Sequence, residues 1–251
     1  VKKAIRTFLS LLFSCMLAIG LYQLYSVWKE YEAGDALYAN TAKQFTHSDV
    51  SVQNSGEEPE PEMESLTVDF DALLHENPDV VAWIYCAGTE INYPVLQGRD
   101  NDQYLRRMLD GTYNVAGSIF LDARCASDFS SITSIIYGHN MKNESMFGSL
   151  PKYEEQVYYD EHPNIWLFTP EKNYCIEVVS GFITPADSTI YTLHSSVDAM
   201  RQTLADAAAH SDFVSAANLD NAERMVVLST CAYDYEDARY VLTGVLRECV
   251  Q

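Results

Sequence analysis

RMVVLSTCAYDYEDARYVLTGVL, residues 224–246, reads as two apolar strands joined by a polar turn. The first, Arg224–Ser229, is aliphatic and β-branched and runs on through Thr230 to Cys231; the second, Tyr240–Leu246, has the same character. Cys231 therefore stands at a strand end, and Arg239, eight residues on, opens the next strand. A strand end is a rigid mount for a reactive group close to solvent.

Working outward, SITSIIYGHNM (Ser131–Met141) repeats the arrangement: an apolar strand runs into Gly138-His139-Asn140. A thiol becomes a useful nucleophile when a base or cation stabilises its thiolate, and His139 is suited to that. A neighbouring guanidinium would stabilise a developing oxyanion. Taken singly, a strand-end His, Cys or Arg serves packing more often than chemistry, and chain order does not separate the two readings.

Further strand-like runs are Ile91–Leu96, Gly117–Leu121, Ile165–Phe168 and Tyr174–Phe182. Seven or eight short strands predict a mainly β barrel or sandwich. DFDALLHE places Phe70, Leu73 and Leu74 on one helical face before Asn77-Pro78 stops it. One later helix interrupts the strands: Val197, Met200, Leu204 and Ala208 share a face, and Ser195 with Asp198 resembles a capping box.

The N-terminus differs in kind. Thr7–Trp28 holds 22 uncharged residues, about 33 Å as a helix, enough to cross a hydrocarbon core of ~30 Å. Lys2, Lys3 and Arg6 precede it, and Tyr22, Tyr25 and Trp28 cluster at its far end. This predicts an uncleaved anchor with residues 1–6 cytoplasmic, residues 7–28 in the membrane and residues 30–251 outside. A cleaved signal peptide, a lipoprotein signal at Cys15 and a buried soluble helix fit less well, because apolar residues continue past Ala18-Ile19-Gly20 and Phe13 is bulky where a small residue is needed. Residues 29–65 read as a stalk and acidic linker; THSDVSVQNSGEEPEPEMES (46–65) is too polar to form a core. Residues 66–251 form the remaining domain.

The chain of 251 residues carries 16 Lys+Arg against 36 Asp+Glu, a net charge of −20. Residues 1–29 carry four cations and no acid, so the surplus lies wholly beyond the anchor. That argues against nucleic-acid binding, which needs a basic face. Six cysteines, with no CxxC and no His pair at i,i+4, give little support to a structural metal site; no metal and no cofactor is expected. Cys86, Cys125 and Cys175 read as small core residues.

The stretch LSTCAYDYEDARYVLTGVL resembles the Cys–Arg signature of sortases, the membrane-anchored cysteine transpeptidases of Gram-positive bacteria. IYGHNMKNESMFGSL (136–150) resembles the His motif of class B in particular, and NPDVVAWI (77–84), INYPVLQGRDNDQYL (91–105) and GSIFLD (117–122) resemble further class B blocks. The resemblance covers residues 66–248. It implies an eight-stranded β-barrel with N-terminal helices and a helix between the sixth and seventh strands. It implies Cys231 as nucleophile, His139 as general acid/base and Arg239 as the substrate-positioning, oxyanion-stabilising cation. Ser229 and Thr230 would line the groove, as would Ile190 and Tyr191 from the Phe182–Leu193 segment, and Asn92 and Leu96; packing is an equal reading for Ile190 and Tyr191. Some class B members have an acid directly after the nucleophile, where this chain has Ala232.

The implied reaction is cleavage of a C-terminal sorting motif of secreted proteins after Thr. A thioacyl-enzyme is then resolved by an amine of a cell-wall peptide, its peptidoglycan precursor or a pilin. A membrane-anchored cysteine peptidase that hydrolyses is one alternative, and a non-enzymatic surface binding module on the same fold is the other.

Overall fold

The computed structural model of the chain describes residues 2–48 and 66–249. Most of the expected linker, residues 49–65, lies outside them. The chain opens with α1 (Lys2–Phe45), a single helix of 44 residues. Its N-terminal part is apolar and long enough to cross a membrane, and its large hydrophobics from Ile5 to Trp28 are exposed. Two short strands, β1 (Thr46–Ser48) and β2 (Leu66–Val68), pair antiparallel and lead to α2 (Phe70–Glu76), whose first turn is capped by the Asp69 carboxylate accepting from Ala72 N.

Eight strands then close a barrel in the order β10-β8-β7-β3-β4-β5-β6-β9. They are β3 (Val80–Tyr85), β4 (Asn92–Leu96), β5 (Ile119–Leu121), β6 (Thr133–Tyr137), β7 (Asn164–Phe168), β8 (Asn173–Pro185), β9 (Met225–Cys231) and β10 (Ala238–Glu248). Helix α4 (Val197–Ala209) follows β8, the sixth barrel strand, and precedes β9, the seventh, as the resemblance implies. Its cap is Ser196, which accepts from Ala199 N; the sequence places the box one residue early.

Two features depart from the sequence reading. The eighth strand, missing from the seven runs above, is β3: VVAWIY is buried nearly throughout and follows the α2 stop directly, so it lacks the alternation that marks a half-buried strand. Between β6 and β7 the chain also makes a 3-10 turn, Leu150–Glu154, and the short helix α3 (Gln156–Glu161).

The C-terminal part of α1 is no free stalk. Gly34, Tyr38, Thr41 and Phe45 are buried against the barrel, so the packed body begins well before Leu66. Their spacing of three to four residues is one helical face, diluted in the sequence by acids and alanines on the others.

The core has two layers. Barrel strands alternate, so Val226 and Leu228 of β9 and Tyr240 and Leu242 of β10 face the barrel interior. Met225, Val227, Val241 and Val245 face outward, under Met200, Leu204 and Ala207 of α4.

Candidate active site

Strand pairing alone brings the three candidate residues together. β9 and β10 are antiparallel with Cys231 opposite Arg239, and β6 and β9 are parallel with Tyr137 opposite Ser229. Two residues beyond that last pair stand His139 and Cys231, on neighbouring strand ends about 4.8 Å apart in the pairing direction. The link is continued past the strands: Gly138 N donates to Ser229 O at 3.1 Å, and Asn140 Nδ2 donates to Cys231 O at 2.7 Å.

Alternation also puts them on one face. Ile135, Tyr137 and His139 share a parity, as do Val227, Ser229 and Cys231, and Arg239 and Val241. This is the outward face that α4 covers farther along the strands. At the strand ends the cover stops, leaving a cleft of about 200 Å³ lined by Asn101, Leu105, Phe120, Tyr137, Gly138, His139, Ser229, Thr230, Cys231 and Arg239.

The groups in the cleft differ in environment. Cys231 is half-buried, unlike the buried Cys86, Cys125 and Cys175. Burial pushes the Cys86 thiol up to about 11 and the Cys175 thiol up to about 12, so these are protonated and inert. His139 Nε2 donates to the Leu105 carbonyl at 2.6 Å, which leaves Nδ1 as the exchangeable nitrogen of the neutral ring. Burial lowers the His139 pKa; the Leu105 bond opposes that and Arg106 adds to it. Arg239 Nη1 donates to the Ala238 carbonyl at 2.9 Å, and among the described residues no carboxylate forms an ion pair with it.

Gly138 is needed where it stands. A Cβ there would lie 2.4 Å from Ile119 Cδ1 and 2.7 Å from the Phe147 ring. A side chain at 138 would fit only if Ile119 and Phe147 gave way, so glycine leaves the strand end that carries His139 undisturbed.

The remaining candidates separate. Ser229 is in the cleft wall, and its Oγ lies 2.9 Å from the Tyr191 hydroxyl; the Tyr191 ring stacks on Tyr137 with centroids 6.5 Å apart. Thr230 borders the cleft but has the interior parity and is buried. Ile190 is buried in the layer under α4, which is the packing reading. Asn92 and Leu96 are not in the cleft. Asn92 Oδ1 accepts from the Trp83 indole at 2.8 Å, and Leu96 is fully buried beside Phe120 in the β4–β5 ladder.

In their place the cleft wall uses Asn101 and Leu105, from the loop after β4, together with Phe120 and Tyr137. Tyr137 was open to discovery from sequence, since it lies two residues before His139 on a strand. Asn101 and Leu105 follow no periodicity.

No family model matches the chain. The chain is 32% identical over 242 residues to Sortase B of Listeria monocytogenes, covering 92% of itself and 94% of that protein. It is 32% identical over 175 residues to Sortase B of Staphylococcus aureus, covering 69% and 72%. Among solved structures, sortase B from Bacillus anthracis superposes with a TM-score of 0.73 at 29% identity, covering 89% of this chain and all of that one. A Staphylococcus aureus sortase B–substrate complex gives a TM-score of 0.67 at 29% identity, covering 72% and 85%.

Proposed function

The chain belongs to the class B sortases, the cysteine transpeptidases, and from that premise we propose that Cys231 is its nucleophile, His139 its general acid and base, and Arg239 its oxyanion-stabilising cation. One observation carries the assignment: the three side chains have the same parity on three adjacent strands and line one cleft.

The Cys231 thiolate attacks the carbonyl carbon of a threonine in the sorting motif of a secreted protein. Arg239, with no carboxylate partner among the described residues, stabilises the tetrahedral oxyanion. His139, with Nε2 held by the Leu105 carbonyl, gives its proton from Nδ1 to the leaving amine as the C–N bond breaks. The thioester is then attacked by an amine of a cell-wall peptide, its lipid-linked precursor or a pilin; His139 takes the amine's proton and the thiolate leaves. Ser229, Tyr191, Tyr137, Asn101 and Leu105 shape the motif's path.

The apolar part of α1 anchors the enzyme, with residues 1–6 in the cytoplasm and the catalytic domain outside. This rests on the flanking Lys2, Lys3 and Arg6 and on the length of the exposed apolar stretch. The hydrolytic peptidase reading is weakened by the ring partner of His139, a backbone carbonyl where such enzymes use an Asn or Asp side chain.

The test is cleavage of a fluorogenic sorting-peptide library by the full chain in detergent, with and without added amine. Wild type yields the amide of the added amine; Cys231→Ala yields neither adduct nor cleavage at unchanged thermal stability. Cleavage by Cys231→Ala would overturn the assignment, and hydrolysis that no amine diverts would support the peptidase.

A further inference from the structure

We propose that Tyr38, on the anchoring helix α1, is a positioning residue for His139, acting through Gly117 and the Leu105 carbonyl. The path is short and each link is a close contact. The Tyr38 hydroxyl, buried, donates to the Gly117 carbonyl at 2.6 Å and lies 2.9 Å from Ser118 Oγ. Gly117, at φ +55°, packs so tightly on the preceding loop that a Cβ would lie 2.4 Å from Leu105 O and 2.8 Å from Tyr104 O. Ser118 ties the same loop from the other side: its N donates to Tyr104 O at 3.1 Å, and its Oγ to Arg107 O at 2.7 Å. Leu105 O is the acceptor that holds His139 Nε2.

Helix α1 grips this segment at other points too. Asn114 Nδ2 donates to the Glu30 carbonyl at 2.8 Å, and Gly34 packs against Asn114 and Ala116. Asp35 Oδ2 accepts from Asn143 Nδ2 at 2.7 Å, in the loop that leaves His139. Residues 104–118 are thus held between a helix and the catalytic imidazole. They carry no strand except the bridge Arg107–Tyr113, so the position of Leu105 O depends on what is clamped to either side.

The chemical consequence follows from the acceptor. A carbonyl aligned on Nε2–H favours the imidazolium, and one that drifts favours it less. The other groups facing the ring are Arg106, which disfavours its charge, and Cys231 and Arg239 across the cleft. Loss of the Tyr38 hydroxyl therefore lowers the pH at which His139 gives up its proton and slows the step that needs it. Because α1 continues N-terminally as the apolar span, the rod that enters the membrane is also the one that sets the base.

The proposal rests on the role given to His139 above, and one arm of its test does not. Histidine-labelled full-length protein in detergent micelles is titrated by NMR, with the His139 signal identified by its loss in His139→Gln. In Tyr38→Phe, which keeps the ring edge-on to Tyr93, the midpoint falls by about half a pH unit. Turnover of a sorting peptide falls about fivefold with KM unchanged. Thr41→Ala removes a buried hydroxyl that donates back to Leu37 O within α1; it lowers thermal stability and moves neither readout. If Tyr38→Phe does not fold, Ser118→Ala decides, with a shift in the same direction. A wild-type His139 midpoint in the folded variant overturns the proposal. A lowered midpoint in a protein that processes no sorting peptide would keep the positioning and sink the functional reading.

Discussion

Arg239 is held in place by its own strand. Its Nη1 is bonded to the Ala238 carbonyl, and the residue lines the cleft opposite Cys231. A lysine would keep the charge and lose the planar fork, which both holds the backbone carbonyl and presents donors at a fixed angle. Arg239→Lys should therefore lower kcat by about 10²-fold with little change in KM or thermal stability, measured with the sorting peptide that wild type processes best. Activity within a few-fold of wild type would mean that charge alone suffices and that the oxyanion is held by backbone N–H groups. The placement of these residues was legible in the sequence: Cys231, His139 and Arg239 stand at or just past strand ends in patterned, apolar surroundings, and the roles proposed for them come from the resemblance. The cleft wall was not. Leu96 and Asn92 have side-chain types that suit a groove, yet the pleat turns one into the core and the Trp83 indole claims the other.

At the scale of elements, the parallel β6–β9 pair does most to build the site. Parallel neighbours end at the same side of a barrel, so the residues leaving them meet without any loop reaching across. The sequence shows both strands but not their adjacency, because 86 residues, with barrel strands β7 and β8 among them, lie between Tyr137 and Arg224. Nor does it show that α1 joins the body, since the helix is amphipathic only over its last few turns. Gly138, just past the β6 end, is tightly confined. Gly138→Ala places a methyl against Ile119 Cδ1 and the Phe147 ring, an overpacking that costs about 1–3 kcal/mol. The strand end should shift and carry His139 with it, so kcat falls at least about tenfold while circular dichroism keeps the barrel signature. Adding Ile119→Val, which removes the nearest of the clashing atoms, should recover part of both losses. Full activity in the single variant would show that the gap is wider than its contacts indicate.

On the whole molecule, the acidic surplus and the cleft meet at Asp122. This carboxylate is fully buried at the end of β5 in a chain that already carries 36 acids. Burial alone would raise its pKa. The Arg124 guanidinium, at 2.9 and 2.8 Å, with Arg124 N, Asn101 Nδ2 and the Tyr137 hydroxyl, more than offsets that and holds it down to about 2. Asn101 and Tyr137 are cleft residues, so the same carboxylate braces the cleft wall and the barrel. A folded-state pKa below the unfolded value of ~3.9 stabilises the native state fully above about pH 4, and that stabilisation is lost as pH falls through 2. Its size is about 2 kcal/mol. Asp122→Asn should therefore be less stable than wild type by about that amount at pH 7, and the gap should close between pH 5 and 2 in denaturant titrations. Acid also relieves the mutual repulsion of the other carboxylates, but it does so in both proteins, so the difference between the two curves isolates Asp122. A gap that stays constant with pH would mean that the loss comes from geometry around Arg124 and that the carboxylate's charge is not what holds the wall.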